Sequence, residues 1–450
     1  MEKYDVIIIG AGIAGLGVGG MLHNKGFKTA VFEKSKVVGG RSRTFELPGG
    51  WRVDMGTHCV DQGVHSSCAK LLTELGTDIP WSHNLEGFMF YGEDGKWKPM
   101  MESFNLDEVE RKELKDFQTW IKNASDEMID HYDNVSLTKL LEERVKSPKI
   151  GEFCKTVGMV QTTLTESDII SAGEFIHIYR DQMRVSKSPD LPFDAVRMPL
   201  GGVQTMMNAM AEAYKKRGGT LKLGTPVRKV LVGKSGPTEL VTDGGNYSAP
   251  IVVIAAPIWN VLRFLDMAAM DQLAPAWAKR MRECEFETSA SMGYTIGTKV
   301  PLFDDKCYLS AWRVPGLGMP LQILGHTNFD DTIAPPGHMI AFMGACGTPA
   351  QVGDAAFRKK TLDQFWVVLN RMFPNMESNL VWKQDGFTIG IDGLSRSPGM
   401  TGRYRLPVEL SEVPGLYFSG DCYLGRGVGM NTAASSAVIC VDAILSKHGK

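Results

Sequence analysis

The sequence predicts an α/β fold in which a Rossmann-like nucleotide-binding domain is discontinuous and is interleaved with a second, α+β domain. Three observations predict this fold. A short apolar run near the N-terminus leads directly into a glycine-rich turn, a second strand pattern ends in an acidic residue, and another glycine-rich segment precedes the last helix pattern. Because these segments lie at opposite ends of the chain, both ends have to meet in one domain.

The first element is a strand followed by a G-x-G-x-x-G turn. Residues 4–9 are an apolar run of the kind expected for a parallel strand buried on both faces. In the turn, Gly10 allows a tight bend, Gly12 lets a pyrophosphate approach the backbone, and Gly15 lets the next helix lie close to the strand. The residues predicted to bind a cofactor here are Gly10, Gly12, Ile13, Ala14 and Gly15.

The second strand supplies an acid for a ribose. Residues 14–25 form a helix pattern, and residues 28–32 form a strand pattern that ends at Glu33. Glu33 lies eighteen residues beyond Gly15, close to the spacing of about 20 residues typical of the acid that binds the adenosine ribose. A carboxylate here would repel a 2′-phosphate. Lys34 is expected to lie beside the same cofactor.

A second glycine-rich element narrows the choice of cofactor. Val38-Gly39-Gly40-Arg41-Ser42-Arg43-Thr44 is followed by Asp54-Met55-Gly56-Thr57-His58. This pattern resembles the flavin amine oxidase and phytoene desaturase superfamily. The resemblance implies bound FAD, with Gly39 and Gly40 passing close to it and Arg41 neutralising the diphosphate. It also implies cofactor contacts at Gly56 and Thr57.

The far end of the chain resembles the closing motif of the same superfamily. Residues 415–421 form a short apolar strand that ends in Gly-Asp, and residues 425–431 lead into a helix pattern that extends to about Leu445. The resemblance implies that the start of this helix points at the flavin, where a positive helix end stabilises negative charge on the reduced ring. The implied cofactor contacts are Gly420, Asp421, Gly429 and Met430.

A third matching segment lies in the middle of the chain. Residues 198–203 precede a helix pattern to Arg217, and strand patterns follow at 220–223 and 230–232. In the superfamily the position matching Val227 contacts the adenine through its backbone, although burial in the core explains a valine there equally well.

The predicted domains follow from these segments. Residues 1–75, 192–260 and 385–450 are assigned to the FAD-binding domain, and residues 76–191 and 261–384 to the substrate domain. The first half of the substrate domain is predicted to be helical, and the second half mixes helix and strand patterns. Residues 258–270 are predicted to form an amphipathic helix that packs on the sheet, with contact to a membrane as the alternative.

Composition excludes some classes of partner. The chain has 450 residues, with 49 basic and 51 acidic side chains and a net charge of -2, so nothing indicates a nucleic-acid partner. Eight scattered cysteines form no C-x-x-C pair, and no metal site is predicted. The chain has no signal-peptide pattern, so we expect a cytoplasmic protein, with peripheral contact to a membrane left open.

The resemblance implies an FAD-dependent oxidoreductase that moves a hydride between flavin N5 and an apolar small molecule. The preferred reaction is desaturation, saturation or isomerisation of carbon-carbon bonds in a terpenoid or lipid. Amine oxidation and a protoporphyrinogen oxidase-like activity are the alternative enzymes. A Rab GDP-dissociation-inhibitor-like binder of prenylated proteins is the non-enzymatic alternative, against which the complete glycine motif argues.

The sequence identifies catalytic residues less well than cofactor residues. His58 and Tyr423 are the two candidates for a place beside the flavin, although each residue type is also common in ordinary packing. Only one G-x-G-x-x-G occurs, so no second nucleotide unit is predicted and the electron donor or acceptor stays open. The sequence does not indicate an oligomeric state.

Overall fold

The computed structural model describes residues 3–55, 59–92, 94–186, 195–311 and 319–449. Its strands, numbered in chain order, are β1 (Val6–Ile9), β2 (Thr29–Phe32), β3 (Arg43–Leu47), β4 (Trp51–Met55), β5 (Phe88–Tyr91), β6 (Trp97–Pro99), β7 (Thr220–Lys222), β8 (Val227–Gly233), β9 (Gly236–Thr242), β10 (Gly245–Tyr247), β11 (Ile251–Ile254), β12 (Ala290–Thr298), β13 (Tyr308–Ala311), β14 (Leu321–Gly325), β15 (Met339–Gly347), β16 (Leu380–Ile389) and β17 (Leu416–Phe418).

The helices, numbered in the same way, are α1 (Ile13–Asn24), α2 (Ser67–Glu74), α3 (Met100–Ser103), α4 (Glu108–Lys122), α5 (Asp126–Tyr132), α6 (Leu137–Arg144), α7 (Pro148–Thr162), α8 (Ala172–Val185), α9 (Val203–Lys216), α10 (Ile258–Phe264), α11 (Met267–Leu273), α12 (Pro275–Glu283), α13 (Pro349–Gly353), α14 (Ala355–Met372), α15 (Met376–Asn379) and α16 (Met430–His448).

A parallel sheet carries the nucleotide-binding half. Its order is β17-β11-β1-β2-β7, and β1 pairs with β11 on one side and with β2 on the other. Every residue of these three central strands is buried, as expected for a parallel sheet covered on both faces. Helix α1 packs against both α9 and α16. The α/β fold with a Rossmann-like domain assembled from both chain ends is therefore confirmed.

A larger sheet forms the second half. Its order is β16-β12-β15-β14-β13-β5-β6, and all neighbouring strands are antiparallel except β13 and β5. Helix α14 covers one face, where Phe365 and Leu369 share a core with Tyr294 and Ile296 of β12. Strand β16 forms one edge of this sheet.

A helical layer, α4 to α8, packs around its own core, which includes Phe153 and Phe175. The Asp107 carboxylate and Glu110 form a capping box at the start of α4. The next four helices each begin after a serine whose hydroxyl accepts a backbone N–H of the first turn: Ser125, Ser136, Ser147 and Ser171. The helical prediction is confirmed for α4 to α8, whereas β5 and β6, which lie in the same predicted helical half, are strands of the larger sheet.

The predicted helix over residues 258–270 is two helices, α10 and α11. Leu265 has an extended backbone between them, and the Asp266 carboxylate caps α11 by accepting the Ala269 N–H. Ile258 and Met270 are fully buried in the core around the parallel sheet, so this segment packs on the sheet as preferred. None of the described helices is long and apolar enough to cross a membrane.

The cores around the two main sheets and in the helical layer divide the chain somewhat differently from the predicted domains. Helix α12 contributes Trp277 and Met281 to the core around the parallel sheet, although the sequence assigned it to the substrate domain. The proposed boundary at residue 385 falls inside β16, which belongs wholly to the larger sheet. A strand with an exposed edge gives little apolar signal, which is why the boundary fell within it.

Candidate cofactor-binding site

A cavity of about 470 Å³ opens at the carboxyl ends of the parallel strands. This edge of an open α/β sheet is where such folds bind nucleotides. Fourteen of the predicted cofactor residues line the cavity: Gly10, Gly12, Ile13, Ala14, Glu33, Lys34, Gly39, Gly40, Arg41, Val227, Gly420, Asp421, Gly429 and Met430. Gly15 does not line it, and Gly56, Thr57 and His58 lie outside the described residues.

The glycine-rich turn brings the backbone to the cavity wall. Gly10 has a φ of 108°, and a Cβ added there would overlap the Ala255 carbonyl oxygen. A Cβ on Gly15 would overlap the Gly10 carbonyl oxygen, so only glycine lets α1 begin this close to β1. Around Gly12 the nearest atom to such a Cβ is Gly39 O at 3.9 Å, which leaves the cavity side open. The turn therefore has the shape that a diphosphate requires.

Glu33 is held in place at the end of β2. Its side chain is buried, and its two carboxylate oxygens accept the N–H groups of Ala11 and Ser35, each at 2.9 Å. These bonds fix the carboxylate at the cavity wall beside the glycine-rich turn. The free lone pairs of each oxygen remain available for ribose hydroxyls.

Arg41 and Asp421 connect the two ends of the chain across the cavity. The Arg41 guanidinium forms an ion pair with the Asp421 carboxylate and donates to the carbonyl oxygens of Gly390 and Ile391 at 2.9 and 3.2 Å. The other Asp421 oxygen accepts the Gly393 N–H at 2.6 Å. Arg41 thus lies at the wall as predicted, and in this structure its charge is directed at Asp421.

Two buried arginines hold the loop that leads into α16. Arg396 is 1% exposed and donates through Nε and Nη2 to the Gly427 carbonyl oxygen, both at 3.2 Å. Arg405, also buried, donates to the Asp421 carbonyl oxygen at 2.5 Å. Because both contacts are made to backbone carbonyl groups, they set the path of the chain from Asp421 to the helix start at Met430.

Acidic groups neutralise Arg396 and the nearby Arg426 and link the loop to the helical layer. Asp392 forms a two-point ion pair with Arg396, at 2.5 and 3.1 Å, and Glu174 of α8 lies 3.7 Å from the same guanidinium. Arg426 pairs with Asp133 and with Glu174, which are both fully buried. A buried charge is tolerated only when it is paired in this way. Asp133 and Glu174 therefore connect the helical layer to the cofactor-facing loop.

The cavity fits FAD by an observation independent of the motifs. Ser419 follows β17 and lines the cavity, and its buried hydroxyl has no hydrogen-bond partner among the described residues. A buried polar atom without a partner costs free energy, so a ligand with polar groups is expected there. Helix α16 begins at Met430, and its N-terminal N–H groups carry the partial positive charge that a reduced flavin requires.

The candidate catalytic residues are placed less favourably. Tyr423 is fully buried against Phe418, is absent from the cavity lining, and burial raises the pKa of its hydroxyl well above the ordinary value. Burial also raises the pKa of the neighbouring Cys422 thiol to about 12, which argues against a thiolate. Both placements favour packing roles. Among the described residues, no group of His, Cys, Asp or Glu side chains is arranged to hold a metal ion.

A buried carboxyl group behind α16 was missed by the sequence reasoning. Burial raises the pKa of Asp61 to about 6, and no described lysine or arginine forms an ion pair with it. Its Oδ1 accepts Gln182 Nε2 at 2.7 Å, and its carbonyl oxygen accepts Asn431 Nδ2 at 2.9 Å. Asn431 lies in the first turn of α16, so Asp61 supports the helix start from the side of the helical layer.

Other lining residues were also missed. Ala255, Ala256 and Pro257 follow β11, and their position after a buried parallel strand was a usable signal. Asn260 and Arg263 line the cavity from α10, where neither belongs to a recognisable motif. Arg396 and Arg405 carried no signal either, because their partners are distant in sequence.

Comparisons with known proteins agree with this geometry. Residues 13–445 match the family described as flavin containing amine oxidoreductase. Prolycopene isomerase, chloroplastic, of Daucus carota is 22% identical in an alignment of 523 positions. The alignment covers 100% of this chain and 81% of that protein. Phytoene desaturase (neurosporene-forming) of Rhodobacter capsulatus is 26% identical over 278 residues, covering 55% of this chain and 51% of that protein.

A solved structure shows the same fold. The crystal structure of an oxidoreductase from Methanosarcina mazei superposes with a TM-score of 0.80 at 18% identity, covering 97% of this chain and 99% of that one. At this identity the likeness bears on the fold alone.

Proposed function

The chain belongs to the flavin-containing amine oxidoreductase family and is an FAD-dependent oxidoreductase, and we propose that its substrate is an apolar polyene whose carbon-carbon bonds it desaturates or isomerises. One observation carries this proposal: the similarity to prolycopene isomerase extends over the whole chain, including the substrate half, where the sequence motifs are weak. The partial similarity to phytoene desaturase supports the same substrate class. Membership of this family excludes the non-enzymatic alternative, a binder of prenylated proteins that holds no flavin.

The residues at the cavity have distinct roles in this function. Bound FAD supplies hydride transfer at N5. Glu33 would bind the ribose hydroxyl groups, and the N–H groups at the start of α1 would bind the diphosphate. The start of α16, held by Arg396 through Gly427, would supply positive backbone dipoles that stabilise negative charge on the flavin.

The partners of the protein follow from this substrate. An apolar polyene resides in lipid, so we infer peripheral contact with a membrane during substrate uptake. Ile258 and Met270 are buried, so α10 and α11 do not supply that contact through these side chains. The electron partner is proposed to be a small molecule or protein that reaches the flavin without a second Rossmann unit.

Amine oxidation is the second candidate, because the family description names it. The sequence argues against it: in monoamine oxidases an aromatic cage residue follows the closing glycine-rich motif, the matching position here falls near Gly429, and no aromatic cage is evident. Protoporphyrinogen oxidation shares the same motifs and belongs in the same test.

The test is anaerobic incubation of the FAD-loaded protein with micellar carotenoid polyenes, with primary amines and with a porphyrinogen. One arm uses oxidised flavin and the other uses flavin reduced beforehand, because isomerisation leaves no net change in flavin redox state. Product chromatography and flavin absorbance are the two measurements. We expect conversion of polyenes alone. Flavin reduction by amines, with every polyene unconverted in both arms, would overturn the proposal.

A further inference from the structure

Strand β16 is a long edge strand with one unpaired side. It spans Leu380–Ile389 and pairs with β12 only, and no other described strand lies beside it. Five consecutive residues in its middle, 383–387, are exposed. An open edge of this length presents free backbone N–H and C=O groups, which readily pair with another strand.

One face of β16 carries both apolar and charged side chains. The Lys383 ammonium lies over the Trp366 ring of α14 at 3.9 Å, and the Arg358 guanidinium of α14 lies over the Phe387 ring at 3.9 Å. These contacts place Lys383, Asp385 and Phe387 on the α14 side of the sheet, as alternation along a strand requires. Phe387 is 54% exposed, and Ile389 on the same face is 43% exposed.

The order of charges selects one register for self-pairing. In a two-fold antiparallel pair centred on Gln384, Lys383 lies opposite Asp385 of the second copy, and this happens twice. Moving the centre to Lys383 or to Asp385 places like charges opposite each other, which is unfavourable. Side chains of the same face stay opposite each other only when the two-fold axis moves by whole residues along the strand. The registers centred on Lys383 and on Asp385 are therefore the nearest alternatives to the one centred on Gln384.

We propose that two copies of this chain associate through β16, with the strands antiparallel and Gln384 on the two-fold axis. The paired segment is Trp382–Gly386, because a bulge beside Val381 interrupts the regular ladder at its beginning. The two larger sheets then form one continuous sheet across the dimer. Phe387 and Ile389 flank the ladder and are partly covered by the second copy.

The charges favour a second copy over other occupants. A lipid surface would have to desolvate Lys383 and Asp385 in the middle of the exposed face, which is costly. A strand of an unrelated protein need not carry an acidic residue opposite Lys383 and a basic residue opposite Asp385. A second antiparallel copy of β16 always carries both. Asp385 forms no ion pair with any described residue, so its carboxylate is available for this contact.

Charge reversal tests the pairing in solution with the full-length, FAD-loaded protein. A five-residue ladder is short, so we expect a dimer that dissociates at roughly micromolar concentration, measured by sedimentation velocity over a dilution series. Lys383→Asp and Asp385→Lys each convert both attractive pairs into repulsive ones, and each is expected to weaken dimerisation at least about tenfold. The double variant Lys383→Asp/Asp385→Lys restores opposite charges and is expected to restore the dimer. Bound flavin and thermal stability report that each variant is folded.

Cross-linking tests the register. Gln384→Cys places two thiols opposite each other across the axis and is expected to form a covalent dimer under mild oxidation. Gly386→Cys is the matched control, because it lies on the same face with open space around it, yet its copies would be about 14 Å apart along the strands, too far for a disulfide. A monomer at every concentration, a folded double variant that stays monomeric, or equal cross-linking of both cysteine variants would overturn the proposal.

Discussion

The two walls of the cofactor cavity are built in different ways. In the wall from the first forty residues the glycine-rich turn brings backbone to the cavity at Gly10, and Gly15 behind this turn lets α1 lie close to β1; no side chain fits at either position. The wall from the far end is a loop held by buried guanidinium groups, with Arg396 on Gly427 O and Arg405 on Asp421 O. The first wall depends on the absence of side chains, and the second depends on buried charges, of which that of Arg396 is paired with Asp392. This difference predicts which substitutions each wall tolerates.

The largest effect is expected at the charge-built wall. Arg396→Met leaves Asp392 buried without its cationic partner, while Glu174 keeps its pair with Arg426, and breaking a buried pair in this way costs about 3–5 kcal/mol. Chemical denaturation of the holoprotein measures this loss. Arg282→Met is the matched control, because Arg282 makes an equally good two-point pair with Asp271 at the surface, where we expect little change. Equal losses of stability in the two variants would show that the buried ion pair contributes no more than the surface pair.

The glycine-built wall is expected to be the next most sensitive. Gly15→Ala forces a Cβ against the Gly10 carbonyl oxygen, so α1 must move away from β1 at a cost of about 3 kcal/mol. We expect a lower melting temperature and weaker FAD retention. Gly244→Ala serves as the control, since nothing lies within 4 Å of a Cβ added there. A Gly15→Ala protein that keeps both properties would show that the close approach is dispensable.

A smaller effect of opposite sign is expected at Asp61. Unlike Asp392, this buried carboxyl group has no cationic partner, and burial raises its pKa from 3.8 to about 6. Between these pH values the unfolded chain ionises while the folded group keeps its proton, so stability falls as pH rises through that window and the loss persists at pH 7. Asp61→Asn keeps the acceptor for Gln182 and is expected to stabilise the protein by on the order of 2 kcal/mol at pH 7.

The pH dependence provides the control for Asp61→Asn. The gain should shrink towards zero below about pH 4, where both folded and unfolded wild-type chains are protonated. Denaturation curves at pH 4 and pH 7 measure the difference. A gain that is the same at both values would have a cause other than ionisation of Asp61.

The same contrast explains how much the sequence could predict. Gly10, Gly15 and Glu33 act within one local unit of strand, turn and helix, so their spacing predicted the fold, and it predicted the place of Gly10 and Glu33 at the cavity. Arg396 binds a carbonyl group 31 residues away, and its guanidinium lies 3.7 Å from Glu174 on another helix. Such contacts arise only when distant elements pack, and no local pattern records them.

The second half of the chain shows the same limit. Apolar periodicity predicted its helices and several strands, because each element buries one face. It did not predict that β16 is an edge strand, nor that α12 packs in the core around the parallel sheet. Both features depend on which elements become neighbours in the folded chain. Tyr423 was a candidate by its place in the closing motif, and its complete burial could not be read from the sequence.

The most direct test of the account measures how one substitution, at Glu33, changes the binding of two flavins, FAD and FMN. Glu33→Gln removes the carboxylate at the ribose end of the cavity, and FMN has no adenosine to contact it. With flavin-depleted protein, we expect the variant to bind FAD at least about tenfold more weakly and FMN with unchanged affinity, so that the preference for FAD narrows. An unchanged FAD affinity, or an equal loss of affinity for both flavins, would contradict the proposal that this cavity binds FAD with Glu33 contacting its ribose.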